Sequence, residues 1–337
     1  MEKDIHIICR EIKMAISDLE LDLNGLSILT EAASGLFAFS PIIALMAGAK
    51  KVHAVLKTTK YGTFDEIKER TVSLAKEVGG NVSNLEIIEK NKFENFRGID
   101  IVCNLGHVRP IDRFFIGRLK EDCVITYMCE AWEHREGDID LDFCRERGIA
   151  VYGMNEEHPK INCFFETGLI ALKMIFESGV SISNARVLIV SRDKFGKEIS
   201  KQISKYTDRV VLIDNFNAMN LESFAGLDLL IVADYLYPDI VIGENGVIRP
   251  SLLKEKSPYV KVIQYCGSNS IDDMTQAGIS YYPDVKLEAV RMYKTLADIS
   301  YRALIRLYAG GLKVGEIARR GNESSNAYHD IYQRMDV

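Results

Sequence analysis

The chain has 337 residues, too long for one ordinary domain and suited to two, and 47% of them are apolar, enough for two cores. Lys and Arg number 42 against 48 Asp and Glu, and the net charge of −6 argues against a nucleic-acid surface. No apolar run reaches the ~18 residues of a membrane span, and the opening MEKDIHIICREIKM lacks a signal peptide's apolar stretch, so a cytoplasmic protein acting on a small molecule is expected, with no nucleic-acid or membrane partner.

The first unit in chain order is LSILTEAASGLFAFSPIIALMAGAKKVHAVLK, residues 26–57: a strand to Thr30, a small-residue loop at Ser34-Gly35, an apolar helix ending at Gly48, and a strand from Val52 to Leu56. A helix from Phe64 to Val78 follows, then strands at Leu85–Ile88 and Ile99–Cys103, a helix near Asp112–Leu119 and a strand at Cys123–Met128. Strands alternating with helices imply a parallel sheet with covered faces. The seven cysteines are an odd number without a C-x-x-C pair, and several sit in apolar runs, which reads as buried reduced thiols. The six histidines have no metal-ligand spacing, so no metal is expected.

Next comes DIDLDFCRERGIAVYGMNEEHP, residues 138–159: a short helix, a stop at Gly148 and a strand from Ile149 to Tyr152. The long apolar helix FFETGLIALKMIFESG (164–179) and the strand beginning at Val187 follow. This order, across about residues 95–215, resembles the D-isomer-specific 2-hydroxyacid dehydrogenases. The resemblance implies two Rossmann-like doubly wound parallel-sheet domains with an inter-domain cleft, and a homodimer. On that pattern residues 1–162 form a substrate-type α/β domain, joined by a carboxyl-terminal helix at 285–320, and residues 163–284 form the dinucleotide domain. The amphipathic stretch Val285–Leu312 reads as that helix, and GNESSNAYHDIYQRMDV at the end reads as a loose tail or an oligomer contact.

The stretch VLIVSRDKFGKEISKQI, residues 187–203, has the strand, tight loop and helix of a dinucleotide-binding turn. A G-x-G-x-x-G loop would have three glycines; here Ser191 and Asp193 stand at the first two and Gly196 at the third. A carboxylate at Asp193 would repel a diphosphate, with Arg192 offsetting part of that charge, whereas Asp193 as a helix cap would meet the dipole favourably. Asp214 ends the next apolar strand, where an acid hydrogen-bonds a ribose hydroxyl and repels a 2′-phosphate, so NAD is expected in preference to NADP. The strands LDLLIVADY and YVKVIQYCG end at Ala233 and near Gly267, small residues suited to a nucleotide loop.

The chain departs from the resembling family where its chemistry is done. Gly267-Ser268 stands where the substrate arginine is expected, and Pro283-Asp284 where a proline-histidine pair is expected. Candidate catalytic residues are therefore sought at the strand ends of the first domain. CNLGHVRP places His107 and Arg109 in one loop, an acid–base and an anion binder, and YMCEAWEHRE places Glu130, Trp132 and Glu133 in the next. NEEHP adds His158. The alternative is structural: Arg109 paired with Glu130 or Glu133, and Trp132 as a plug.

The expected function is an NAD(P)-dependent oxidoreductase acting on a small carboxylated or phosphorylated metabolite. A non-catalytic or regulatory nucleotide-binding protein is the alternative. A third reading is group transfer from S-adenosylmethionine at TEAASG, residues 30–35, though the next strand ends in Lys57 and not in an acid; Lys57, Lys60 and Tyr61 would instead welcome an anion such as a phosphate, with Glu31 and Ser34 lining the same edge.

Overall fold

The computed structural model describes residues 4–287, 291–321, 328 and 330–335. The chain divides into two compact units, Met1–Phe164 with Ser300–Val337, and Phe165–Ile299. Each is a Rossmann-like, doubly wound parallel sheet.

In the first unit six parallel strands, β1 (Ser27–Glu31), β2 (Lys51–Leu56), β3 (Leu85–Glu89), β4 (Ile101–Cys103), β5 (Val124–Thr126) and β6 (Ala150–Met154), lie in the order β6-β5-β4-β1-β2-β3. The direction of strand addition reverses between β1 and β4, and this switch point is where doubly wound sheets open a ligand crevice. The connecting helices are α2 (Phe39–Met46), α3 (Phe64–Glu77), α4 (Arg113–Arg118) and α5 (Leu141–Arg147). Reciprocal bonds between Thr63 and Glu66 start α3, and Gly148 ends α5 at φ 67°, the left-handed conformation that glycine adopts without strain. Ahead of β1, α1 (Ile5–Asp18) buries Ile8, Ile12 and Ala15, one stripe at helical spacing.

In the second unit five parallel strands, β7 (Val187–Val190), β8 (Val210–Ile213), β9 (Leu229–Ala233), β11 (Lys261–Cys266) and β13 (Ser280–Tyr282), lie in the order β13-β11-β9-β7-β8, with the switch point between β7 and β9. A small parallel pair, β10 (Ile240–Ile242) and β12 (Ser268–Asn269), stands apart from that sheet. The central strands β7 and β9 are buried throughout. Leu188, Val190, Leu230 and Val232 join one core cluster with Leu253 of α8 (Pro250–Lys256) and Met274 of α9 (Ile271–Gln276). The helices α6 (Glu166–Glu177) and α7 (Lys194–Ile203) pack closely: a Cβ on Gly168 would lie 3.0 Å from the Glu198 carbonyl oxygen.

The carboxyl-terminal segment differs from its sequence reading in two ways. The helix expected across Val285–Leu312 is α10 (Tyr301–Arg320), in the first unit. Thr295 and Asp298 close a separate turn upstream, and the Ser300 hydroxyl then starts α10 by accepting from the Ala303 N–H at 3.0 Å. Residues 288–290 of the expected helix lie outside the described residues. The expected loose tail contains a strand, β14 (Tyr332–Arg334), antiparallel to β6. Fully buried Ile331 anchors it, and Tyr332 packs edge-on to Tyr152 at 5.7 Å. The tail's residues 322–327, 329, 336 and 337 lie outside the described residues.

The glycines of α10 let it approach the sheet. A Cβ on Gly315 would lie 2.7 Å from Ile101 Cγ2 and 2.8 Å from Thr126 Cγ2, both on stiff β-branched side chains in strands. Gly315→Ala is expected to destabilise the fold by about 1–2 kcal/mol, read as a lower urea midpoint, because the overpacking outweighs the ~1 kcal/mol that alanine's helix propensity contributes. A rise in the midpoint would contradict that close approach.

Among the described residues no helix is long and apolar enough to cross a membrane, and no group of three or more His, Cys, Asp or Glu could hold a metal ion.

Candidate functional site

In the first unit, β1 and β4 pair at the switch point, and the end of β1 meets the loop after β4. Glu31, the last residue of β1, is 5% exposed, and its carboxylate accepts the His107 backbone N–H at 2.6 Å. Burial pushes this carboxyl up to about 7, outweighing the hydrogen bond from His107 and the positive charges of Arg109 and Lys57. The His107 Nδ1 lies 3.1 Å from the Ala32 carbonyl oxygen. A carbonyl only accepts, so Nδ1 carries the proton and Nε2 is the basic nitrogen. Burial holds this imidazole below its ordinary range, keeping it neutral at pH 7.

Three further groups complete the neighbourhood. Tyr308 of α10 is buried, and its phenol is pushed up by burial and then by the Glu31 charge. Asn104 is 3% exposed, and its Oδ1 has no hydrogen-bond partner among the described residues. A buried acceptor left open costs about 1–3 kcal/mol, which a ligand donor would recover. Lys57, exposed at the end of β2, makes no hydrogen bond or ion pair among the described residues.

The other sequence candidates are built into the loop architecture. Arg109 does not pair with Glu130 or Glu133; its Nη1 donates to Asp138 Oδ2 at 2.8 Å. Arg135 and the Tyr127 hydroxyl donate to the same oxygen at 3.2 and 3.3 Å, which makes Asp138 the centre of the network. Glu130 is wholly buried, accepting from the Trp132 indole N–H and from the Glu156 N–H at 3.3 Å. The Glu133 carboxylate accepts from the Glu130 N–H at 3.2 Å, and His158 Nδ1 accepts from the Lys160 N–H at 3.2 Å. His107 is thus the sequence candidate that meets a titrating partner at the switch point, and that partner, Glu31, is the residue to which the sequence reading gives only a marginal place.

In the second unit the loops after β7 and β9 are tied across the switch point by the protein's own side chains. Asp193 caps α7: Oδ1 accepts from the Phe195 N–H at 2.9 Å and the Ser191 hydroxyl at 3.1 Å, and Oδ2 accepts from the Tyr235 N–H at 2.7 Å. The Ser191 hydroxyl also accepts from the Gly196 N–H at 3.1 Å. Arg192 forks onto the fully buried Asp234 carboxylate, with Nη2 to Oδ2 at 2.6 Å, and its guanidinium lies 4.1 and 3.5 Å from the Phe216 and Tyr237 ring centroids. Gly196 keeps the close packing its position requires, since a Cβ there would lie 2.9 Å from Leu212 Cδ1. Ala233 is buried at the end of β9, and Gly267 packs so that a Cβ would lie 2.9 Å from the Asp234 carbonyl oxygen.

A dinucleotide fits this loop at one end. Asp214 is exposed beyond β8 and makes no hydrogen bond or ion pair among the described residues, so it is available to a ribose. The diphosphate end does not fit as the loop stands, because the amides at the start of α7 that would hold it are taken by Asp193 and Ser191.

Two solved structures share the arrangement over nearly their whole length. A dipicolinate synthase chain from Bacillus subtilis matches at a TM-score of 0.55 and 10% identity, covering 90% of this chain and 100% of that one. The corresponding dipicolinate synthase chain from Bacillus halodurans matches at 0.54 and 11%, covering 88% and 99%. The fold shared with these two chains is an α/β fold of Rossmann-like parallel sheets. At such identities the likeness shows the fold alone. The NAD-dependent formate dehydrogenase from Staphylococcus aureus, solved in complex with NAD, matches at 0.49 and 11%, covering 89% and 98%, too distant to carry an argument. No protein-family model matches the chain, and no curated protein does.

Proposed function

We propose that this chain is an NAD-dependent oxidoreductase acting on a small carboxylated or phosphorylated metabolite, with its acid–base chemistry at the first unit's switch point. The observation that carries the reading is the Glu31–His107 arrangement at the first unit's switch point: a carboxyl pushed up to about 7 by burial, held by the His107 amide next to a neutral imidazole. A proton-transfer group works best when its pKa lies near the working pH, and burial sets Glu31 there. His107 Nε2 takes the proton of a substrate hydroxyl or returns it to a carbonyl. Glu31 holds the loop that carries His107 and exchanges its own proton near neutrality. Arg109 is engaged by Asp138, so Lys57 is the cation left to meet a substrate anion. A nicotinamide dinucleotide would be held by Asp214 at its ribose and would have to displace Asp193 from the α7 amides at its diphosphate; once bound it would supply hydride exchange.

A second reading, a nucleotide-binding protein without redox activity, is favoured by the closure of the second unit's loop by Asp193 and Arg192. Group transfer from S-adenosylmethionine draws less support, because the end of β2 presents the cation Lys57 where a ribose calls for an acid.

The test is nicotinamide oxidation by the purified protein with NADH and a panel of 2-keto acids. Substrate-dependent turnover is expected. NADH binding without turnover of any panel member would favour the second reading, and failure to bind NADH, NADPH and S-adenosylmethionine alike would contradict the first.

A further inference from the structure

A cavity of about 690 Å³ opens on the first unit at the carboxyl ends of β2 and β3, beside the Glu31–His107 site, with which it shares Lys57. This volume is in the range that small-molecule sites occupy. Its wall is aromatic. Phe93 and Phe96 pack edge-on at 4.9 Å, Phe96 and Phe115 at 5.0 Å, and all three rings are buried. Phe114, also in the lining, is 74% exposed, which is unusual for so large an apolar side chain.

The same cavity is lined by three cations. Lys90 donates to the carbonyl oxygens of Val108, Arg109 and Pro110 at 2.7, 2.9 and 3.3 Å, so all three of its protons are used and its charge is fixed in place. Burial, and then repulsion from Lys57, pushes its ammonium down to about 8. Arg118 lies 3.9 Å from the Phe96 ring centroid and 5.3 Å from that of Phe114. Neither the Arg118 nor the Lys57 side chain makes a hydrogen bond or ion pair among the described residues. The two acids in the lining are committed elsewhere: Glu89 pairs with Lys92 at 3.0 Å, and Asp112 caps α4 by accepting from the Phe115 N–H at 2.8 Å. Three cations stand around the aromatic wall against the charges of Glu89 and Asp112, and Asp112 offsets only part of the repulsion on Lys90, so the lining keeps an excess of positive charge that an anion would meet.

We propose that this cavity binds a small carboxylate with a flat, apolar body, its rings against Phe93, Phe96 and Phe115 and its carboxylate among Lys57, Lys90 and Arg118. The aromatic wall excludes a bare inorganic anion as the preferred occupant, because such an ion would forfeit the apolar contact. The cations exclude a neutral ring for the converse reason. This inference shares Lys57 with the proposed redox site, and titration without nucleotide reads the binding by itself, whether or not the redox reading holds.

The test is isothermal titration of the full chain, without nucleotide, with benzoate, acetate and benzyl alcohol. Benzoate is expected to bind with a Kd of about 1 mM or tighter, and acetate and benzyl alcohol at least about tenfold more weakly. Lys57→Glu and Phe114→Ala alter exposed side chains, so the fold survives them, and each is expected to weaken benzoate by about tenfold. Circular dichroism of each variant checks the fold. Benzoate silent at about 10 mM, benzyl alcohol equal to benzoate, or benzoate indifferent to Lys57→Glu would each overturn the proposal.

Discussion

Glu31→Gln is expected to make the protein more stable and nearly inactive. The carboxyl moves from an ordinary 4.5 to about 7 on folding because burial penalises its charged form. The sign follows from linkage: between those values the unfolded chain has lost the proton that the folded chain keeps, so this group's contribution to stability falls as pH rises from 4.5 to 7. Above that window the ionised carboxylate costs about 3 kcal/mol, and glutamine, which still accepts the His107 N–H, removes the cost. Urea melts should show the variant level with wild type near pH 4 and ahead of it by up to about 3 kcal/mol near pH 8. Turnover should fall by about 10²–10⁴, the range of a lost proton-transfer group, and the inflection of kcat/KM near pH 7 should vanish. A variant with wild-type kcat/KM would remove Glu31 from the chemistry.

Asp193→Gly is expected to tighten NADH binding by about 10–100-fold while weakening the apo fold. The substitution frees the Phe195 and Tyr235 amides and removes a carboxylate from the position a diphosphate needs. The lost cap costs about 1–2 kcal/mol of stability, and glycine restores the bare backbone of a dinucleotide loop. Burial raises the Asp193 carboxyl to about 6. Its charge therefore disappears as pH falls through 6, so wild-type affinity for NADH should rise on acidification while that of the variant stays flat. Titrations near pH 5 and pH 8 separate the two. Equal affinities in both proteins at both pH values would mean that Asp193 does not obstruct a nucleotide.

Local features are the ones readable in the sequence. The β-α-β alternation, the Gly148 stop and the capacity of Asp193 to cap a helix all follow from neighbours within a few residues. The start of α10 is not readable in this way, because the apolar spacing continues through Val285–Leu312 while the real boundary is a cap at Ser300 that overrides periodicity. The sequence reading has no helix before Leu26, although the Ile8, Ile12 and Ala15 stripe of α1 lies at helical spacing. The site itself depends on pairings between distant segments. Glu31 becomes a carboxyl pushed up to about 7 because the folded first unit buries it, and the His107 amide, brought to it by β4 lying beside β1, offsets only part of that burial. Arg109 chooses Asp138 over Glu130 and Glu133, and the bond from the Tyr235 amide to Asp193 spans the second switch point. No spacing rule within one segment carries that information.

The most direct measurement is isothermal titration of NADH into wild type and Asp214→Ala near neutral pH. Wild type is expected to bind, and the variant, lacking the ribose acceptor, to bind about tenfold more weakly. No binding to wild type, or equal binding to both, would contradict the placement of a nicotinamide dinucleotide on Asp214.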